Sequence, residues 1–196
     1  LNSVTDVLHA RKSLQQKAPQ LAIVAPDGRQ GMVEHCSQLA HNNIPFIFDP
    51  GQGLPMFNGQ ELLELVDLAS YVAVNDYEGE MLCQRTGLSL GDLANQLKAL
   101  IVTKGAEGAL IYTSGKTIAI PAVKPEKISD PTGCGDAFRG GLLYGLENDL
   151  DWETTGRLAS LMGSIKIAHQ GPQNHQPSRA EICERFKSAF GYSISL

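Results

Sequence analysis

Short apolar runs alternate with helically spaced apolar residues through most of this 196-residue chain. The runs have the length of strands and stop at turn-forming residues, as buried β-strands do. They are residues 21–25, 45–48, 71–74, 100–103, 109–112 and 117–120. Helical spacing is found in residues 6–16, 32–40, 62–68, 78–84, 90–97, 135–146, 154–168 and 179–190. The alternation predicts one α/β domain over residues 1–196, with a mostly parallel sheet and a hairpin at Ser114-Gly115.

Polar residues follow several of the predicted strands. Asp49, Asn75 and Thr103 each lie at or just after the end of a run, and a glycine-rich loop begins at Asp130. In parallel sheets, ligands bind at the carboxyl ends of the strands. The sequence therefore places a ligand site at this end of the sheet.

Composition excludes several other classes of protein. The net charge of −5 argues against nucleic acid as the main partner. No run approaches the roughly 18 apolar residues of a membrane span, so no membrane partner is expected. The four cysteines are scattered without a CxxC pair, which is typical of reduced thiols. A cytoplasmic location is the expectation.

The segment from Asp130 to Gly141 reads DPTGCGDAFRGG and precedes a helical pattern. Glycine lets the backbone approach a ligand closely, and a helix amino terminus offers free N–H groups to an anion. A carboxylate at Asp136 could accept a proton from a substrate hydroxyl beside that anion. The alternative is a tight glycine turn with Asp136 as a favourable charge at the helix start.

Two other segments and one histidine have a structural interpretation from their residues alone. Asn75 and Glu78, in NDYE, could form a helix capping box. The segment from Thr103 to Gly108, TKGAEG, could be a turn between strands. His169 could be a helix-terminal histidine favoured by the dipole.

The segment DPTGCGDAF resembles the second signature of the PfkB, or ribokinase-like, carbohydrate and nucleoside kinases, which is usually DTxGAGD. Pro131 and Cys134 depart from that pattern, and both are small. The resemblance implies ATP-dependent transfer of a phosphoryl group to an alcohol. It implies Asp136 as the catalytic base, and Gly133, Cys134 and Gly135 as the anion-binding backbone.

The same resemblance extends to the other motifs in order. Asn75 and Glu78 match the family's NxxE motif, which implies nucleotide binding and Mg²⁺ held by Glu78 through water. The cofactor-binding residues that the resemblance implies are Asn75, Glu78, Thr103, Gly105, Gly108, His169 and Gly171. Among them, His169 is implied to pack near the base. Asp130 and Thr132 are implied ligands of a monovalent cation, K⁺.

The resemblance implies a ribokinase-like three-layer α/β/α fold with a mostly parallel central sheet and a β-hairpin in the carboxyl-terminal half. It covers only the later two-thirds of a typical family member, so the amino-terminal substrate and lid portion is expected to be missing. The expected substrate is a small sugar or nucleoside, and Asp49-Pro50-Gly51 points to the adenosine-kinase-like or sugar kinase subgroups. A homodimer is expected of the full-length protein. Two alternatives stay open, a nucleotide-binding fragment without catalysis and a regulatory domain.

Overall fold

A computed structural model describes residues 3–196 and contains one six-stranded sheet, in the order β1-β2-β3-β4-β5-β6. The strands are β1 Ala22–Val24, β2 Phe46–Phe48, β3 Tyr71–Asn75, β4 Ala99–Thr103, β5 Ala109–Thr113 and β6 Lys116–Ile120. Strands β1 to β4 pair in parallel. Strands β5 and β6 form the predicted hairpin, in which Ser114 and Gly115 both have positive φ, as a two-residue hairpin turn requires.

One helix precedes β1, and the others occupy the connections between the parallel strands and most of the chain after β6. They are α1 Val4–Ser13, α2 Arg29–His41, α3 Gly59–Leu68, α4 Asp76–Thr86, α5 Leu90–Ala94, α6 Cys134–Glu147, α7 Trp152–Ile167 and α8 Arg179–Phe190. Short 3₁₀ turns lie at Gly51–Met56 and Gly105–Glu107. Among residues 3–196, no helix combines the length and apolar character needed to cross a bilayer.

The chain forms two compact units. The first holds the chain up to Thr103 together with Ile111–Thr117, and the second holds Lys104–Leu110 and Ile118–Leu196. In the first unit the parallel strands are buried on both faces, so their sequences read as continuous apolar runs rather than alternating ones. Fully buried Phe46, Phe48 and Leu100 belong to its core.

The second unit depends on close packing of α6 against α7. A Cβ atom at Gly141 would lie 2.6 Å from the Cα of Ala159, and one at Gly145 would lie 2.5 Å from the Oγ1 of Thr155. Glycine at both positions lets the two helix backbones approach. The buried side chain of Phe186 in α8 belongs to the core of the same unit.

Candidate active site

The candidate site in the second unit is the loop that leads from Asp130 into α6. Gly133 is the N-cap of α6 and has a φ of 82°, in the left-handed region that favours glycine. A Cβ atom there would also lie 3.0 Å from the Cβ of Pro172. Gly133 is therefore required both by the turn and by its contact with the segment that follows α7.

The first turn of α6 presents free backbone amides. The N–H groups of Gly133, Gly135 and Asp136 donate to no acceptor within residues 3–196. The amide of Cys134 differs, because it donates to the carbonyl of Pro131 at 3.1 Å. Three of the four leading amides of this helix are thus available to an anion, and Cys134 would have to share its hydrogen.

Asp136 lies in the first turn of α6 beside these amides. Its side chain is exposed, and its carboxylate accepts no hydrogen bond from any described residue. The group is therefore free to accept a proton from a hydroxyl. The roles predicted for Gly133, Cys134, Gly135 and Asp136 remain predictions, and the geometry is compatible with them.

The carboxylate of Asp130 ties two loops together. Its Oδ1 accepts the N–H of Thr132 at 2.9 Å, and its Oδ2 accepts the N–H of Gly171 at 2.8 Å. The backbone N–H of Thr132 is the largest cause that holds the pKa of Asp130 at about 2, followed by the Thr132 side chain and the Gly171 N–H, with Lys166 adding its charge. Asp130, Thr132 and Gly171 are therefore brought together, and the roles implied for them remain predictions.

His169 lies at the end of α7. Its Nδ1 donates to the carbonyl of Ile165 at 2.9 Å, and the residue is exposed. This is the helix-terminal arrangement that the sequence left as an alternative to base contact. Beside it, burial together with the charges of His169 and Lys166 lowers the pKa of His175.

The two glycines of TKGAEG have different surroundings. Gly108 has a φ of 92°, and a Cβ there would lie 2.0 Å from the carbonyl oxygen of Ile120, so packing alone requires a glycine. Gly105 has a φ of 54° and open space where a Cβ would be. Gly105 is therefore the more accessible of the two to a ligand.

In the first unit, Asn75 and Thr103 lie opposite each other at the carboxyl ends of β3 and β4. Asn75 also begins α4: its Oδ1 accepts the N–H of Glu78 at 2.7 Å, and Oε2 of Glu78 accepts the N–H of Asn75 at 2.8 Å. This is a capping box. Oε1 of Glu78 accepts no hydrogen bond from the described residues, so the cap leaves one carboxylate oxygen available.

The family model of the pfkB carbohydrate kinases matches residues 3–179. The chain belongs to the pfkB family. The solved structure of Burkholderia thailandensis nucleoside kinase in complex with inosine is 55% identical, with a TM-score of 0.90, over 97% of this chain and 62% of that one. A second structure of that kinase contains ADP-inosine, with a TM-score of 0.89 and 55% identity over 97% of this chain and 59% of that one.

Curated members of the family match at lower identity. The nucleoside kinase of Methanocaldococcus jannaschii is 34% identical over 152 residues, which are 78% of this chain and 50% of the relative. The ribokinase of Lactococcus lactis is 34% identical over 126 residues, which are 64% of this chain and 41% of the relative. The chain thus spans about half the length of these pfkB relatives. The predicted family and ribokinase-like α/β fold are confirmed.

Sequence reasoning missed one feature of this pfkB site. Lys166 in the last turn of α7 is fully buried, and its Nζ donates to the carbonyls of Asp130 and His169. A lysine in the last turn of a helix is usually an exposed partner of the dipole, so its residue type gave no signal of burial.

Proposed function

We propose that the protein is an ATP-dependent kinase that phosphorylates an alcohol group of a small nucleoside or sugar. The observation that carries this proposal is the set of free amides of Gly133, Gly135 and Asp136 at the start of α6. Phosphoryl transfer needs placement and charge neutralisation more than covalent help from the protein. A helix amino terminus with unpaired N–H groups supplies that neutralisation.

In the proposed reaction the acceptor hydroxyl attacks the γ-phosphorus of ATP in line. A new O–P bond forms, the bond from the γ-phosphorus to the β–γ bridging oxygen breaks, and ADP leaves. Asp136 accepts the hydroxyl proton, and the amides of Gly133 and Gly135 hydrogen-bond the phosphoryl oxygens, where negative charge develops. The first-turn amide of Asp136 adds a third donor. Thr103, Gly105, Gly108, His169 and Gly171 are the proposed nucleotide contacts.

Mg²⁺ is the proposed metal, and Glu78 is the residue that would hold it, through water. Mg²⁺ keeps several waters and commonly takes one or two protein carboxylates beside substrate phosphates. The described residues contain no cluster of three or more metal-ligating side chains, and the one free oxygen of Glu78 fits this sparse coordination. Bound Mg²⁺ would neutralise phosphate charge, with Asn75 orienting the phosphates.

A nucleoside is the first acceptor we propose, because the relative at 55% identity is a nucleoside kinase solved with inosine. A sugar is the second, because the chain is also 34% identical to a ribokinase. These named kinases favour catalysis over the regulatory and nucleotide-binding alternatives. We further propose the cytoplasm as the location, in keeping with four free cysteines, and a homodimer of the full-length protein.

The test is a panel of acceptors offered to the full-length protein with MgATP. We expect ADP formation that depends on a nucleoside and exceeds that with ribose or fructose. Ribose or fructose as the best acceptor would move the protein to the sugar kinases. Tight MgATP binding by calorimetry without turnover on any acceptor would favour the nucleotide-binding alternative.

A further inference from the structure

Lys166 is a buried ammonium group within the candidate site. Its side chain is fully excluded from solvent, yet its Nζ donates to the carbonyl oxygen of Asp130 at 2.7 Å and to that of His169 at 3.1 Å. Burying a charge is costly unless hydrogen bonds and opposite charge compensate for it. The two carbonyls, the negative end of α7 and the Asp130 carboxylate provide that compensation.

The segment that Lys166 contacts is joined to the end of α7 by further hydrogen bonds. The N–H groups of Ser129 and Asp130 both donate to the carbonyl of Ile167, at 2.8 and 3.2 Å. Oγ of Ser129 donates to the carbonyl of Ala168 at 3.1 Å. Lys166 therefore lies at the junction between the helix end and the loop that leads to the free amides.

The residues around Asp130 do not fit the predicted K⁺ ion. Both carboxylate oxygens of Asp130 already accept N–H groups, from Thr132 and Gly171. An ammonium group 2.7 Å from the Asp130 carbonyl would repel a second cation at the same oxygens. Lys166 thus places a positive charge of the chain itself beside Asp130.

We propose that the ammonium group of Lys166 is a tethered cation that replaces a monovalent metal ion. It holds the Asp130 loop against the end of α7 and adds positive potential behind the amides of Gly133 and Gly135. Its charge lies within this loop, because Nζ is 2.7 Å from the carbonyl oxygen of Asp130. Lys166 is thus a positioning residue for the proposed reaction.

The first test compares the wild-type full-length protein in KCl and in tetramethylammonium chloride at an ionic strength of about 0.1 M. The melting temperature and the affinity for MgADP are measured in each salt. We expect both to be equal in the two salts, because no ion site is left to fill. A K⁺-dependent rise of several degrees in melting temperature would overturn the proposal.

The second test uses Lys166→Ala, which removes the ammonium and opens space for a small cation. We expect a melting temperature about 5–10 °C lower in tetramethylammonium chloride. KCl or methylammonium chloride should restore part of that loss in this variant alone. A variant that is destabilised equally in all three salts would show that the stem of Lys166, rather than its charge, holds the loop.

Lys187→Ala is the matched control, because Lys187 also lies in the last turn of a helix of this unit but is exposed. It should change neither melting temperature nor salt response. The melting measurements do not depend on catalysis, so they test Lys166 even if the proposed kinase activity fails. A prediction for activity rests on the proposed function. Lys166→Ala should lower kcat roughly tenfold or more, with a smaller change in KM. Methylammonium should restore part of the lost kcat.

Discussion

The stability of the loop between β6 and α6 depends on the ionisation of the Asp130 carboxylate. Its oxygens accept N–H groups from Thr132 and Gly171, which lie in different segments. These bonds favour the charged form and hold its pKa at about 2, below the ordinary value of 3.8. A depressed carboxyl pKa contributes stability that is present above the unfolded value and is lost as the pH falls through the folded value.

Asp130→Asn should therefore lower the melting temperature by a constant amount above about pH 5. The difference in melting temperature between the variant and the wild type should shrink between about pH 4 and 2. Melting curves across this range measure the effect. Asp149→Asn is the control, because Asp149 is exposed and its left-handed backbone suits Asn as well as Asp. A difference at Asp130 that stays constant down to pH 2 would contradict the role given to its charge.

The residue types of this loop predicted which groups it presents, but not how those groups are hydrogen-bonded. The glycines and aspartates of DPTGCGD indicated an anion site and a proton acceptor, and these roles stay predictions. The structure places Gly133 at the N-cap of α6 and Asp136 in its first turn. Two features could not be predicted: the hydrogen bond from the N–H of Cys134 to the carbonyl of Pro131, and the burial of Lys166. Both depend on how the chain packs around the loop, which no local pattern records.

At the scale of elements, α4 is the helix whose start has two competing explanations. Its capping box is a structural reason for Asn75 and Glu78, whereas the proposed metal site is a functional one. Glu78→Gln separates them, because Gln at this position keeps the capping bond but removes the charge.

We expect Glu78→Gln to change the melting temperature by less than about 2 °C and to raise the half-saturating Mg²⁺ concentration roughly tenfold. Titration of activity with Mg²⁺ at fixed ATP measures this. Glu181→Gln makes the same change in the capping box of α8 and should leave the Mg²⁺ response unaltered. An unaltered Mg²⁺ response in Glu78→Gln would mean that this residue only caps the helix.

The contact between α6 and α7 gives a second prediction at this scale. Gly141→Ala would place a Cβ 2.6 Å from the backbone of Ala159, so we expect a loss of about 2–4 kcal/mol in the free energy of unfolding. The neighbouring Gly140→Ala is the control, because its Cβ would meet no atom within 4 Å. It should be neutral or add up to about 1 kcal/mol. Urea unfolding distinguishes the two, and equal stabilities would contradict the close contact.

Elements were predicted closely because their signals are local. Helix α8 has the predicted bounds, Arg179–Phe190, and β3 extends the predicted strand by one residue to Asn75. The ends of two helices were predicted less well: α1, predicted over residues 6–16, ends at Ser13, and α5, predicted over residues 90–97, ends at Ala94. Leu97 lies after the end of α5 but still packs, partly buried, against the core. The apolar spacing therefore continues beyond the last helical residue.

At the scale of the whole molecule, the pfkB family model matches residues 3–179, and the chain spans about half the length of its curated relatives. The prediction of one domain over residues 1–196 stays a prediction. The sequence indicated the reaction class from three ordered motifs, yet it could not choose the acceptor, since the motifs concern phosphate and nucleotide. The 55% identity to a nucleoside kinase supplies the preference for a nucleoside.

The most direct measurement of the central claim is phosphorylated nucleoside formed from MgATP by the full-length protein and by Asp136→Asn. We predict product from the wild type, and turnover lower by about 10²–10⁴ in Asp136→Asn with MgATP affinity unchanged by calorimetry. Glu147→Gln, an exposed carboxylate at the other end of α6, should behave as the wild type. Near-native turnover in Asp136→Asn would contradict the assignment of this loop as the site of phosphoryl transfer.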